Sequence, residues 1–195
     1  MRDTWRMVAF EYFGTSVNEA HVFHLGEVTI FAAELEYTAA RFAWELIDEN
    51  PQIGMSVTAG MTFERMNSLI ERLIEKRLPS DSGTARHYRS ASDLAVKAMR
   101  ARNRLLHGHW THSFGSPGES DVITRTRKGE IQTRLNVTVE EIRSTAGELS
   151  AATGLYKLAW TTSLRPLGRL VEFAPGQWRR RESGFEDVAE PMSFM

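Results

Sequence analysis

The chain has 195 residues, 25% charged and 42% hydrophobic, with a formal net charge of -1. This is the composition of an ordinary globular chain, long enough to bury a core, and its near-neutral total argues against a bulk nucleic-acid coat. It contains no cysteine, which excludes disulfides, thiolate metal sites and a cysteine nucleophile.

No apolar run approaches the roughly 20 residues of a membrane helix. The opening residues, MRDTWRMVAFEYF, are broken by charges, unlike the apolar region of a signal peptide. These features predict a cytoplasmic chain with no membrane segment. The charge is unevenly distributed. Arg86 to Arg134 holds 10 Lys/Arg against 4 Asp/Glu, so these 49 residues carry +6 and the remainder -7. A basic segment on an acidic body suits a local polyanion site; a solvated mixed-charge surface has the same composition.

In chain order, residues 1–24 form an aromatic-rich arm in which Trp5, Val8, Phe10 and Tyr12 partly alternate, as in a short strand or a packed extension. From Glu27 to Glu49, Val28, Phe31, Leu35, Phe42 and Leu46 fall on one helical stripe, and Asn50-Pro51 stops it. Thr62 to Leu78 is a second helix, with Met66, Leu69, Ile70, Leu73 and Ile74 as its apolar face. A loop, LPSDSG, leads to a third helix starting between Thr84 and Ser90. Ser90 and Asp93 suit its cap, and it ends at His107, with Gly108 suited to the left-handed position just past the end.

After the loop SFGSPGES, two β-rich runs, Val122 to Arg127 and Glu130 to Val137, flank a Lys128-Gly129 turn. Ile131, Thr133, Leu135 and Val137 are expected to share one face. Thr138 and Glu141 make a capping box for a fourth helix. Its stripe is Ile142, Ala146, Leu149, Tyr156, Trp160 and Leu164, ending at Pro166. Residues 168–195 are a mixed polar tail with Arg179, Arg180 and Arg181 beside Trp178. One-sided helices of this kind predict an all-α fold. The expected architecture is a four- to five-helix up-and-down bundle over residues 25–167, with a β-hairpin inserted at 121–137 between the third and fourth long helices.

The end of the third helix, ARNRLLHGHW, stands out. Its stripe runs Ala91, Ala95, Ala98, Arg102, Leu105, so a charge follows three small residues. Such a charge is costly unless paired or open to a polar cleft. Asn103 and His107, four apart, share one side of the helix. Basic residues and a following glycine also suit a plain helix C-terminus.

The run Arg102-Asn103-Arg104-Leu105-Leu106-His107 resembles the motif of the HEPN family (higher eukaryotes and prokaryotes nucleotide-binding domain): an Arg, a polar residue, a short spacer and a His late in a bundle helix. The likeness covers roughly residues 25–165. It implies a metal-independent endoribonuclease, with no cofactor, acting on RNA as a homodimer whose motif helices meet across a two-fold axis. The Ala91, Ala95, Ala98 face would allow that approach.

In this reading Arg102, Asn103 and His107 are the catalytic residues. RNA supplies its own 2′-hydroxyl nucleophile, and histidine exchanges protons near neutral pH. A guanidinium fork suits phosphate oxygens, and an amide can orient the His or donate to phosphate. The expected product is a 2′,3′-cyclic phosphate. Family analogy extends this to a toxin of a toxin–antitoxin or abortive-infection system, neutralised by an antitoxin protein. The alternative is a non-catalytic HEPN-like dimeric scaffold.

Arg100, Arg104, His109, Arg125, Arg127 and Lys128 are candidate substrate contacts, and Arg134 adds to their charge. A solvated, aggregation-resistant ribbon explains the hairpin's charges equally well. His107, His109 and His112 also invite a zinc reading, although no carboxylate lies within six residues. Trp110 suits a core position or a base-stacking one. Some HEPN proteins carry an assisting acid in an earlier helix; Glu34, Glu36, Glu45 and Glu64 are candidates here.

Overall fold

The computed structural model describes residues 17–80, 82–112, 120–125, 129, 131–174 and 177–180. Most of the expected N-terminal arm, the SFGSPGE segment, Arg127, Lys128 and the end of the tail lie outside them. The fold is mostly helical with a small three-stranded antiparallel sheet. Its helices are α1 (Glu19–Ile47), α2 (Pro51–Thr58), α3 (Phe63–Arg77), α4 (Gly83–His107) and α5 (Val139–Ser163). Strands β1 (His109–His112), β2 (Ser120–Arg125) and β3 (Ile131–Val137) lie between α4 and α5 in the chain, and β4 (Leu170–Ala174) and β5 (Gln177–Arg180) follow α5. Among the described residues, no helix is long and apolar enough to cross a membrane.

These residues form two compact units, one drawn from residues 17–37 and 90–155, the other from 38–89 and 156–180. The first unit buries Val28, Ala32 and Leu35 of α1, Ala91, Ala95, Ala98 and Leu105 of α4, Val122 and Val137 of the sheet, and Ile142, Ala146 and Leu149 of α5.

α1 starts eight residues before the stripe that predicts it. Two histidines and Gly26 hide the period there, but the Asn18 side chain accepts from the His21 backbone N–H (3.1 Å) and starts the helix. α4 likewise starts at Gly83, not at a Ser90 cap; the Ser82 hydroxyl accepts from Ala85 N–H at 3.2 Å. At α5 the expected cap is present, with Thr138 Oγ1 accepting from Glu141 N–H at 3.2 Å.

The sheet adds a strand and corrects one expectation. The segment after Gly108 is strand β1, which pairs with β2 from His109–Ile123 to His112–Ser120. On β3 the expected common face is broken. Ser120 pairs with Val137, yet Val122 pairs with Arg134, so β3 carries one extra residue and bulges. Asn136 sits there at φ 55°, and the buried Asp121 carboxylate accepts its backbone N–H at 2.9 Å. Ile131 is therefore 70% exposed while Val137 is buried. Gly129, at φ 84°, lies in the left-handed region that favours glycine.

In the second unit, Asn50-Pro51 starts a helix that the sequence reading does not foresee. Asn50 Oδ1 accepts from Gln52 N–H at 3.0 Å, and Pro51 fills the first helical turn of α2. The core of this unit centres on Phe42, Phe63, Ile70, Tyr88 and Tyr156. Tyr88 donates to the Asn67 backbone carbonyl at 2.6 Å, and the Tyr156 hydroxyl donates to Asn67 Oδ1. The Tyr88 and Tyr156 rings meet edge-on at 5.9 Å. Burial raises the Tyr156 pKa, and Tyr88 adds to the shift, so the hydroxyl remains a neutral donor. The last carbonyls of α1 are capped from outside, because Arg77 Nη1 donates to Leu46 and Ile47 and Arg169 Nη2 to Glu45. The expected polar tail contains a hairpin, with β4 and β5 paired from Leu170–Arg180 to Ala174–Gln177.

α2 packs closely on α1 at Gly54. A Cβ at that position would fall 2.6 Å from both Trp44 Cα and Cβ. Alanine in a helix interior ordinarily gains about 1 kcal/mol over glycine. Here overpacking should reverse the sign, giving Gly54→Ala a net loss of about 2 kcal/mol. Thermal unfolding checks this, and a higher melting temperature would contradict the close approach.

Candidate functional site

Helix α4 ends where the sequence places its end, at His107. Gly108 donates to the Arg104 carbonyl at 3.1 Å but is not in the left-handed region. No reversal is needed, because the chain passes straight into β1. Trp110, half-buried on β1, folds back so that Nε1 donates to the Leu105 carbonyl at 2.9 Å. An otherwise unpaired carbonyl of the last turn is satisfied in this way. The Trp110 ring also meets the His21 ring edge-on at 6.0 Å. These contacts hold Trp110 against the end of α4.

His21 has no counterpart among the expected residues. It is fully buried, with Nδ1 2.7 Å from Asn18 Oδ1. Burial lowers its pKa from the ordinary 6.5; neighbouring His24 adds to this and the Val137 carbonyl opposes it. The folded state thus holds His21 neutral while the unfolded chain still takes up a proton. Stability from this residue is present above pH 6.5 and declines as the pH falls below it. A His21→Gln variant should therefore show a flatter melting-temperature profile between about pH 7 and pH 5 than the parent. Parallel profiles would remove His21 as the cause.

The predicted catalytic trio lies on the last two turns of α4. Arg102 and Asn103 are half-buried, and Arg102 Nη1 donates to Asn103 Oδ1 at 2.9 Å. Consecutive helical residues point about 100° apart, so the long arginine curls round the helix to make this bond. Its guanidinium head thereby comes to the side that Asn103 shares with His107, about 40° further round. Arg102 Nε is buried and lacks an acceptor. His107 is exposed.

Arg100 and Arg104 are also exposed, and with Lys97 and His107 they form a basic stripe at three- and four-residue steps. Lys97 is engaged by Glu148 at 2.5 Å. His109 is exposed on β1. Arg125 pairs with Ile131 in the β2–β3 ladder, while its side chain, Arg127 and Lys128 lie outside the described residues.

The small-residue face does not serve the purpose the sequence suggests. Ala91, Ala95 and Ala98 are fully buried in the single chain, so a second copy cannot approach there. They are small because the chain's own core closes on them. Of the acidic candidates, Glu34 and Glu36 share the motif's unit, the first exposed and the second half-buried. Glu45 is buried in the other unit, 3.7 Å from Arg169 Nε, and Glu64 lies there in the first turn of α3. Among the described residues, no group of three His, Asp or Glu side chains is placed to hold a metal ion.

A cavity of about 410 Å³ opens on the neighbouring side of the same helix end. Ala101, Leu105, Val122 and Val137 form its apolar lining, and Arg104, Gln132, Thr133 and Glu141 its polar one. Among the described residues, Arg104 alone of the predicted ones borders it. Gln132, Thr133 and Glu141 were missed because they border one cavity only when β3 lies beside the end of α4 and the start of α5. No protein-family model, no curated protein and no solved structure matches the chain.

Proposed function

We propose that the chain is a HEPN-type endoribonuclease that needs no metal ion and acts as a homodimer. The observation carrying this reading is the Arg102–Asn103 hydrogen bond on the side of the helix end where His107 stands exposed. An accessible imidazole can move the protons of phosphodiester transfer in RNA, a fixed cation can hold the developing phosphorane charge, and the amide orients that cation.

In the proposed reaction the 2′-oxygen attacks phosphorus while one imidazole takes its proton. The bond to the 5′-oxygen breaks as a second imidazole, His107 of the second copy, protonates that leaving group. The products are a 2′,3′-cyclic phosphate and a 5′-hydroxyl. Arg102 holds the non-bridging oxygens through its planar fork, and Asn103 keeps that fork turned toward His107. Arg100 and Arg104 attract the strand without selecting its sequence. The helices take the up-and-down bundle arrangement of the family, with the hairpin as its insertion. With the Ala91–Ala98 face occupied, the copies meet through the exposed tip around Arg100, Arg104 and His107. A toxin neutralised by an antitoxin in the cytoplasm is the corresponding biological role, by family analogy.

One observation favours the alternative of a non-catalytic dimeric scaffold: Arg102 is half-buried, with Nε inside and one donor already used by Asn103. The two are separated by incubating the protein with mixed RNA in excess EDTA and determining its mass in solution. A dimer that leaves cyclic-phosphate ends supports the nuclease. A well-folded dimer that binds RNA without cutting it supports the scaffold, and a monomer counts against both.

A further inference from the structure

We propose that the outward face of α1 pairs with the same face of a second copy of this chain, the two helices running antiparallel about a two-fold axis. This contact uses a different surface from the tip of α4 and does not rest on the nuclease reading. Phe23, Ile30 and Tyr37 recur every seven residues along the face, all within the first unit, and are 62%, 66% and 57% exposed. Bare side chains of this size offer about 150–250 Å² each, so the three present roughly 350 Å² in one line. An apolar surface of that extent suits an interaction site.

Gly26 and Ala33, also exposed and also seven apart, stand beside this line. At about 100° per residue both fall roughly 50° to one side of it. The chain's own fold does not call for the glycine. Its φ is outside the left-handed region, and an added Cβ would meet no atom within 4 Å. A glycine inside a helix costs about 1 kcal/mol against alanine, and what it permits is close approach of another backbone. The pattern says whose backbone. One stripe holds large and small residues at the same repeat, so it complements itself. In an antiparallel pair Tyr37 falls opposite Gly26 of the second copy, and Ile30 opposite Ala33, with each relation returned by symmetry. Both pairs centre on one point, between residues 31 and 32, so a single axis satisfies them. A parallel pair in register would set large on large. Glu27 and Glu34 flank the line on the side away from the small residues, at the rim of such a pair, where salt screens them. The area is at the low end for specific interfaces, so the pair should form at micromolar concentration.

The test is sedimentation equilibrium of the full chain from about 1 to 100 μM, which brackets association of that strength. Ile30→Glu places a charge on the line, and Gly26→Leu fills the space that Tyr37 of the second copy would take. Both positions are exposed, and leucine favours a helix more than glycine does, so each variant should keep the parent's circular dichroism. Each should weaken self-association about tenfold or more, close to the loss of one buried apolar side chain. The chain has no cysteine of its own, so introduced ones report the register. A copy with Ile30→Cys mixed with one carrying Ala33→Cys should form disulfide dimers faster than either alone. A parent that stays monomeric throughout, whether its stripe is bare or covered by residues 1–16, overturns the proposal. So does association that survives both substitutions, or cross-linking no faster in the mixture. Arg104→Glu, at the tip of α4, separates this contact from that of the nuclease reading. Association lost in Ile30→Glu but kept in Arg104→Glu supports the α1 pair and removes the tip dimer. The reverse overturns the α1 pair and keeps the tip dimer.

Discussion

Replacing His107 with alanine is expected to lower RNA cleavage about a thousandfold, mid-range for a positioned proton-transfer group. The side chain is exposed at the last residue of α4, so its removal opens no cavity in the core. The variant should keep the parent's circular dichroism and melting temperature, which assigns the loss to chemistry. Arg102→Lys should lose most of the activity as well, because an ammonium keeps the charge but not the planar fork or the bond to Asn103. Excess EDTA should change neither parent nor variant. Residual cleavage above a tenth of the parent's rate in His107→Ala would end the proposed role of this residue.

Arg169→Met should be among the most destabilising single changes in the second unit. Arg169 is 6% exposed and follows Gly168, whose φ of 70° turns the chain after α5. Its Nη1 lies 2.5 Å from Glu49, its Nε 3.7 Å from Glu45, and its Nη2 donates to the Glu45 carbonyl at 3.2 Å. Glu45 is itself 6% exposed. Removing the cation leaves that carboxylate without this neutralising charge and exposes a helix end to loss of its cap. Breaking such a buried pair costs about 3–5 kcal/mol, which for a chain of this size lowers the melting temperature by about 10 °C. Glu45→Gln in the Arg169→Met background should recover part of the loss, since the buried carboxylate charge that Arg169 faces is gone. Absence of any recovery would mean that packing, not charge, is what Arg169 provides.

Residues whose signals are local were legible. Thr62 and Thr138 start helices because their hydroxyls bond backbone N–H groups three residues on, and both do so here. The end of α4 at His107 follows from short-range pattern in the same way. Asn50-Pro51 shows the limit of such signals. A proline that prevents one helix from continuing is also the preferred opening of the next, and the dipeptide alone does not reveal that another helix follows. The early part of α1 was hidden because buried His21 does not count as apolar in a periodicity, though the fold treats it as core.

For the candidate site, sequence was enough to single out Arg102, Asn103 and His107, because their spacing along one helix already puts Asn103 and His107 on a common side. Only the tertiary structure decided that Arg102 curls to Asn103, that the alanine stripe is closed by the chain's own core, and that Gln132, Thr133 and Glu141 gather round a cavity beside Arg104. The physical reason is range. Capping, helical period and turn preference act over three or four residues and are written in the neighbouring letters. Burial, bulge register and cavity shape depend on which distant segments fill the same space, and no stretch of this sequence states that alone.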